Sequence, residues 1–504
     1  MLTEYVEKIL KARVYDVAIE TPLDKMTRLS TRLDNTLLLK REDLQPVFSF
    51  KLRGAYNRMA QLSDAEKQQG VVAASAGNHA QGVALSAQKM AISALIVMPK
   101  TTPAIKVEAV KSYGAEIELH GNSYDDACSY ALDIAEQQGR TFIHPYDDPE
   151  VIAGQGTIAM EIMRQHPETI NAIFVPVGGG GLIAGVSAYI KAFWPEINII
   201  GVEPVDAACL KAALEKGERV KLDQVGLFAD GTAVSQIGEE PFRIARETVD
   251  DVITVDSDEL CAAIMDIFDD TRSIAEPSGA LAVAGAKKYI EQQQITGQTF
   301  VVIDSGANIN FDRLRHVAER AELGERREVL FSTTIEEQQG SFQRFCNTLS
   351  GYGITEFNYR YADDAQAQVF VGVRINGGDE ERKALFASLD QQNYQWTDFS
   401  DNEIAKLHIR YMVGGHAPQL ENEQLYRFEF PERPGALLRF LTRMGERWNI
   451  SLFHYRNHGA AYGRVLLGVQ ITESEQDDFH QFLDELGYQF WQETDNPAYQ
   501  LFLK

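Results

Sequence analysis

From about residue 36 to 315 the chain alternates short apolar runs with longer segments whose apolar residues fall every third or fourth position. The runs 36–39, 71–74, 93–98, 172–177, 199–202 and 300–303 have strand length and β-branched content. Between them, 123–136 and 182–193 carry helical spacing. This alternation predicts an α/β unit of mainly parallel sheets covered by helices. Ligands in such folds sit at the carboxyl ends of the strands.

Near residue 316 the pattern changes. The segment 319–328 (ERAELGERRE) is charged and nearly free of large apolar residues, which predicts a helix end or connector. An internal repeat follows. Gly340, Phe342, Arg344 and Phe345 recur 95 residues later as Gly435, Leu437, Arg439 and Phe440. Ile354, Phe357, Tyr359-Arg360 and Gly372-Val373 recur 96 residues later as Ile450, Phe453, Tyr455-Arg456 and Gly468-Val469. A nearly constant offset through a strand–helix–strand–strand pattern predicts two copies of one small α+β unit of the ferredoxin-like, split βαβ type. The expected division is a first domain over 1–320, a connector over 321–329, and repeats over 330–415 and 424–504.

Composition narrows the choice of partner. At 504 residues, about one domain per 150 residues suggests roughly three units. Lys+Arg is 48 against Asp+Glu 73, a net charge of -25, which disfavours nucleic acid and anionic membrane surfaces. Cys128, Cys209, Cys261 and Cys346 are far apart and match neither a zinc spacing nor a disulfide framework. The start Met1-Leu2-Thr3-Glu4-Tyr5 lacks the basic and apolar regions of a signal peptide, and no apolar run approaches the roughly 18 residues of a membrane span. A reducing cytoplasm is expected.

Four short segments carry the candidate chemistry: Ser49-Phe50-Lys51, Ser75-Ala76-Gly77-Asn78-His79, Gly178-Gly179-Gly180-Gly181-Leu182 and Asp304-Ser305-Gly306. The last three each follow a predicted strand directly. Lys51 alone would read as a solvated lysine, but it follows Phe50 and precedes Gly54 and Ala55, so it can sit in a packed pocket where an amine becomes nucleophilic. The four glycines open a predicted helix, where exposed N–H groups and the helix dipole favour an anion such as phosphate. A tight turn alone would need fewer glycines. Ser75 and Asn78 could be plain helix caps, or they could grip a substrate carboxylate and a cofactor. His79 reads at least as well as a structural hydrogen-bonding histidine as it does as a general base. Ser305 offers a neutral partner to a ring nitrogen. Together these groups match the needs of pyridoxal phosphate (PLP), whose chemistry a protein holds and tunes. A dinucleotide site competes, because Gly179-x-Gly181-x-x-Ala184 with Glu203 about 20 residues on fits a degenerate fingerprint. It leaves Lys51 and the 75–79 segment unexplained.

With these segments in order, the chain resembles the fold-type II PLP enzymes and is most similar to biosynthetic, isoleucine-regulated threonine deaminases over nearly its whole length. Thr21-Pro22-Leu23, Lys40-Arg41-Glu42-Asp43-Leu44, Ala229-Asp230-Gly231 and Ala275-Glu276-Pro277-Ser278-Gly279 add to the likeness. The resemblance implies a two-subdomain catalytic unit like the tryptophan synthase β chain, followed by a tandem ACT-like regulatory domain. It puts the lysine that binds PLP covalently at Lys51 and a ring-stacking aromatic at Phe50. The ring-hydroxyl ligand falls on Asn78, the phosphate loop on Gly178, Gly179, Gly180, Gly181 and Leu182, and the ring-nitrogen partner on Ser305. The substrate grip falls on Ser75, Ala76, Gly77, Asn78 and His79, and effector binding on Tyr359 and Tyr455. The implied substrate is L-threonine, the effectors L-isoleucine and L-valine, and the assembly a homotetramer.

Two departures are informative. Related serine racemases use a second hydroxyl just after the first serine, where this chain has Ala76, so racemisation is disfavoured. Some relatives hold a divalent metal through a glutamate, a carbonyl and a further carboxylate. Glu203 and Ala207 match the first two, but Cys209 stands at the third, and no metal is expected. A PLP lyase acting mainly on serine and a non-catalytic amino-acid sensor are the remaining alternatives.

Overall fold

A computed structural model describes residues 2–336, 344–345, 348–349, 351–361, 366–376, 378–411, 421–431, 440, 443, 447–456 and 462–504. Two compact units result, Met1–Phe311 and Asp312–Lys504. Among the described residues no helix is long and apolar enough to cross a membrane.

The strands of the first unit are β1 (Leu23–Lys25), β2 (Thr36–Arg41), β3 (Val71–Ala74), β4 (Ala94–Met98), β5 (Glu116–Leu119), β6 (Thr141–Phe142), β7 (Ala172–Pro176), β8 (Asn198–Pro204), β9 (Asp251–Val255) and β10 (Thr299–Asp304). They form a larger sheet in the order β1-β2-β10-β7-β8-β9 and a smaller one in the order β5-β4-β3-β6. Every neighbouring pair is parallel except β1 with β2. All residues of β3, β4 and β7 are buried. A parallel strand covered on both faces needs apolar side chains at successive positions, which is why these strands read as unbroken runs.

The topology delivers three segments to strand ends. β3 runs into 75–77 and then the helix Asn78–Met90, β7 runs into the glycines and the helix Gly181–Phe193, and β10 ends at Asp304 beside Ser305. The fourth segment is tied to the third, since Ser49 forms a β-bridge with Gly306 and the Ala307 N–H donates to the Phe48 carbonyl at 2.9 Å.

In the second unit the helix Arg313–Gly324 precedes β11 (Glu328–Glu336), β12 (Gly353–Tyr361), β13 (Gln366–Arg374) and β14 (Gln395–Asp398). The second repeat contributes β15 (Glu423–Pro431), β16 (Asn449–Arg456), β17 (Tyr462–Gln470) and β18 (Gln489–Gln492). The sheets run β12-β13-β11-β14 and β16-β17-β15-β18, antiparallel throughout. The repeat extends to an irregularity, because β12 shifts register between Ile354 and Glu356 and β16 between Ile450 and Leu452. Tyr359 lies opposite Val369, and Tyr455 holds the same register position opposite Val465. Gly340, Phe342, Gly435, Leu437 and Arg439 of the repeat lie outside the described residues.

Strand alternation explains why both repeats fall in one unit. Val369, Val371 and Val373 pack with Leu385, Phe386 and Leu389 of the helix Gly378–Gln391. Val465, Leu467 and Val469 do the same with Phe479, Phe482 and Leu483 of the helix Gln476–Leu486. The intervening positions Leu330 and Phe370 share a core with Leu425 and Leu466 of the other repeat. Each sheet is therefore apolar on both faces.

Candidate active site

Lys51 opens the helix Lys51–Ala60, with Phe50 as its N-cap. The Phe50 N–H donates to the Ser305 carbonyl at 3.3 Å, which ties the start of this helix to the end of β10. The Lys51 Nζ donates to the Pro145 carbonyl at 3.2 Å and lies 5.3 Å from the centre of the Phe50 ring. Burial pushes its pKa down to about 8, and the Glu276 charge offsets part of that effect. A lysine this far below the ordinary value carries a substantial neutral, nucleophilic fraction.

From Lys51 the contacts run in a closed circuit. Pro145 leads to Tyr146, whose ring lies against Gly179 so closely that a Cβ there would come within 2.2 Å of it. Tyr146 also stands edge-on to His144, with ring centres 4.7 Å apart. Gly180 has φ 90°, a left-handed conformation that lets the chain turn from β7 into the helix Gly181–Phe193. Gly178 packs on the backbone of Thr232, whose hydroxyl lies 3.1 Å from the Ser278 hydroxyl. The Ser305 hydroxyl donates to the Ser278 carbonyl at 3.2 Å, and the Ser305 carbonyl accepts from Phe50. Leu182 and Phe50 belong to the same core. Three of the four sequence segments are thus joined through Pro145, Tyr146, Thr232 and Ser278.

The fourth segment enters through Asn78. Its side-chain Nδ2 donates to Glu276 Oε1 at 2.6 Å, and its Oδ1 accepts from Asn308 Nδ2 at 2.7 Å. Upstream, the Ser75 N–H donates to the Val97 carbonyl at 3.1 Å, and the Gly77 N–H donates to the Ser75 hydroxyl at 3.2 Å. A Cβ on Gly77 would meet nothing within 4 Å, so this turn faces open space. His79 differs from its neighbours: it is 3% exposed, and its Nε2 lies 2.8 Å from the Ile143 carbonyl. A carbonyl only accepts, so Nε2 carries the proton. Burial pushes the imidazole down to about 3 and keeps it neutral, which fits the structural reading of His79.

Glu203 bears on the dinucleotide alternative. It is fully buried, and its carboxylate accepts from the Leu210 and Lys211 N–H groups at 2.8 and 2.9 Å, at the start of the helix Cys209–Lys216. Burial pushes its pKa up to about 7. A ribose would find no open face on this carboxylate, so the fingerprint loses its acid.

Several residues of the site escaped sequence reasoning. Pro145 and Tyr146 sit in a segment without a distinctive pattern. Glu276 and Ser278 lie in the stretch 275–279, where the family likeness by itself assigns no role. Asn308 had no signal. Burial, with the Asp230 charge beside it, pushes Glu276 up to about 7.

A family model described as "Pyridoxal-phosphate dependent enzyme" matches residues 14–306, and one described as "C-terminal regulatory domain of Threonine dehydratase" matches 319–409 and 414–503. The chain is 56% identical over 503 residues to the L-threonine dehydratase biosynthetic IlvA of Burkholderia multivorans, covering 99% of each. The chain belongs to the biosynthetic threonine dehydratases. Solved threonine deaminases are similar in fold as well. The processed form of isoform 2 from Solanum lycopersicum is 51% identical with a TM-score of 0.62, covering 64% of this chain and 93% of that one. The threonine deaminase of T.th. is 37% identical with a TM-score of 0.57, covering 61% of this chain and 98% of that one. As a threonine dehydratase of this family the chain is a PLP-dependent ammonia-lyase with a fold-type II catalytic unit and a regulatory domain. The site fits PLP: the depressed amine of Lys51, the glycine turn at a helix N-terminus and the amide of Asn78 are the donor set that cofactor requires.

Proposed function

We propose that this chain converts L-threonine to 2-oxobutanoate and ammonia, and that L-isoleucine binding to the second unit suppresses this while L-valine opposes it. The observation that carries the catalytic reading is the closed circuit of contacts around Lys51, with its amine pushed down to about 8.

When bound at Lys51, PLP supplies an electron sink for the charge left at the substrate Cα. Phe50 would flank the ring. The N–H groups of 178–182 would hold the phosphate at the start of the helix Gly181–Phe193, where the dipole favours an anion. Asn78 would donate to the ring hydroxyl, and Ser305 would offer the ring nitrogen a neutral hydroxyl. A neutral partner there favours elimination over transamination. The N–H groups of 75–79 and the Ser75 hydroxyl hold the substrate carboxylate. Once the substrate amine had taken its place on the cofactor, the freed Lys51 amine would take the Cα proton, and the β-hydroxyl would leave with a proton as water. The unsaturated amine released then tautomerises and takes up water to give 2-oxobutanoate and ammonia. Ala76 has no group that moves a proton on the opposite face, which supports elimination without racemisation.

For regulation, the tandem repeats and their family match support effector binding, with Tyr359 and Tyr455 at equivalent register positions. The sheet edges at β12, β14, β16 and β18 support self-association, which we take to be a homotetramer in the cytoplasm.

A chain ending at Phe311 tests the division of labour. A solved relative of that length stands as a nearly whole chain, since 98% of it is covered by 61% of this one. The truncated protein is expected to retain threonine turnover and lose inhibition by isoleucine. Equal inhibition of full and truncated chains would put the effector site in the first unit.

A further inference from the structure

The Asn78 amide is held in one orientation by a chain of hydrogen bonds anchored to the backbone. Asn308 Nδ2 donates to the Val47 carbonyl at 2.8 Å, and a main-chain carbonyl only accepts, so this end of Asn308 is its NH2 group. The same Nδ2 donates to Asn78 at 2.7 Å, so the atom it meets is the amide oxygen of Asn78. The NH2 group of Asn78 therefore faces Glu276, whose Oε1 lies 2.6 Å away. One of its two hydrogens is used there, and no partner of the second is seen among the described residues.

Glu276 itself is rigidly placed. It is 4% exposed and sits at the N-cap of the helix Pro277–Gln293, without using its side chain as the cap. Its own N–H donates to the Gly306 carbonyl at 3.0 Å. Glycines leave room for its carboxyl on two sides: a Cβ on Gly306 or on Gly231 would come within 3.2 or 3.3 Å of Oε1. The carboxyl also accepts from the Asn308 main-chain N–H. The side chain thus takes donors from Asn78 and Asn308 and does none of the helix-capping work that would otherwise explain it.

We propose that Glu276 is a positioning residue for the bound cofactor, holding the Asn78 amide with its N–H end toward the ring hydroxyl. The inference rests on Asn78 being the ring-hydroxyl ligand. An amide presented the other way would place an oxygen against the ring oxygen, which repels the ionised ring and weakens its hold. Glu276 reaches the ring hydroxyl only through the Asn78 amide, and its charge acts separately on the Lys51 amine.

The test uses the holoenzyme. Glu276→Met removes the acceptor, Glu276→Gln restores one acceptor oxygen, and Asn78→Ala removes the amide. The readouts are the visible absorption band of the bound cofactor and its dissociation rate. Glu276→Met is expected to displace the band and speed cofactor loss by about tenfold, the worth of one buried hydrogen bond to a charged group. Glu276→Gln should recover part of both changes. In the Asn78→Ala background Glu276→Met should change the band and the dissociation rate less than it does alone, because only its charge effect on Lys51 remains, and an equal change in both backgrounds would overturn the inference. If Glu276→Met keeps the wild-type band and dissociation rate while Asn78→Ala changes both, the inference is overturned and the site reading stands. If Asn78→Ala changes neither, Asn78 is not the ring-hydroxyl ligand and the inference falls with it. Should Glu276→Met not fold, Glu276→Ala, which also lacks the acceptor, takes its place, with a displaced band expected and an unchanged one overturning the inference.

Discussion

Replacing Lys51 by alanine is expected to abolish the visible band of bound cofactor and to lower kcat by about a thousandfold or more, since both the anchoring amine and the base are removed. The reason is local to this lysine. Burial pushes its pKa to about 8, from 10.5 for an ordinary lysine. At pH 8 about half of such amines are neutral, against roughly 0.3 per cent of ordinary ones. The folded state disfavours the charged amine, so recapture of added cofactor by the cofactor-free chain should accelerate as pH rises through about 8. Alanine should cost little stability, because burial disfavours the lysine's charged form more than the Glu276 charge supports it. A Lys51→Ala protein that kept the band and a kcat within about tenfold of wild type would contradict the assignment.

The second large effect is structural and concerns Arg53, two residues further along the same helix. Arg53 is fully buried and forks between two carboxylates. Its Nε and Nη2 donate to Glu42 at 2.8 Å each, and its Nη1 and Nη2 donate to Glu161 at 2.6 and 2.9 Å. Glu161 also pairs with Lys40 at 2.7 Å and accepts from the Tyr15 hydroxyl at 2.9 Å. Burial works against the Glu161 carboxylate, but the Arg53 and Lys40 charges outweigh it and hold its pKa below the ordinary range. Two cations and two carboxylates thus balance in an interior where an unpaired charge is costly. Arg53→Met leaves two buried carboxylates facing one lysine and is expected to destabilise the catalytic unit by about 3–5 kcal/mol. Arg53→Lys keeps the charge but loses the fork, so it should fall between the two. Urea unfolding followed by the cofactor band, which reports the first unit alone, measures both. A loss below about 1 kcal/mol for Arg53→Met would mean that the network does not fix this helix.

The catalytic fold was legible where physics leaves a local trace. Strands β3, β4 and β7 are buried on both faces and so appear as continuous apolar runs. The glycines at 178–181 were legible because a turn into a helix N-terminus needs a left-handed residue at Gly180 and no Cβ against the Tyr146 ring at Gly179. The repeat was legible because both sheets keep the same register, down to the shift at Ile354 and Ile450. What closes the site was not legible. Pro145 offers a carbonyl, which every residue has, and Asn308 acts through contacts to Val47 and Asn78 far away in sequence. Arg53 next to Lys51 looks like ordinary surface charge until Glu42 and Glu161 are brought against it. Long-range pairing of this kind has no periodicity to betray it.

The most direct measurement is the release of 2-oxo acid and ammonia from L-threonine by the full-length holoenzyme, with and without L-isoleucine. The expected result is equimolar 2-oxobutanoate and ammonia, suppressed by isoleucine and restored by valine. Turnover indifferent to isoleucine would contradict the regulatory half of the account. No 2-oxo acid from threonine would contradict its centre.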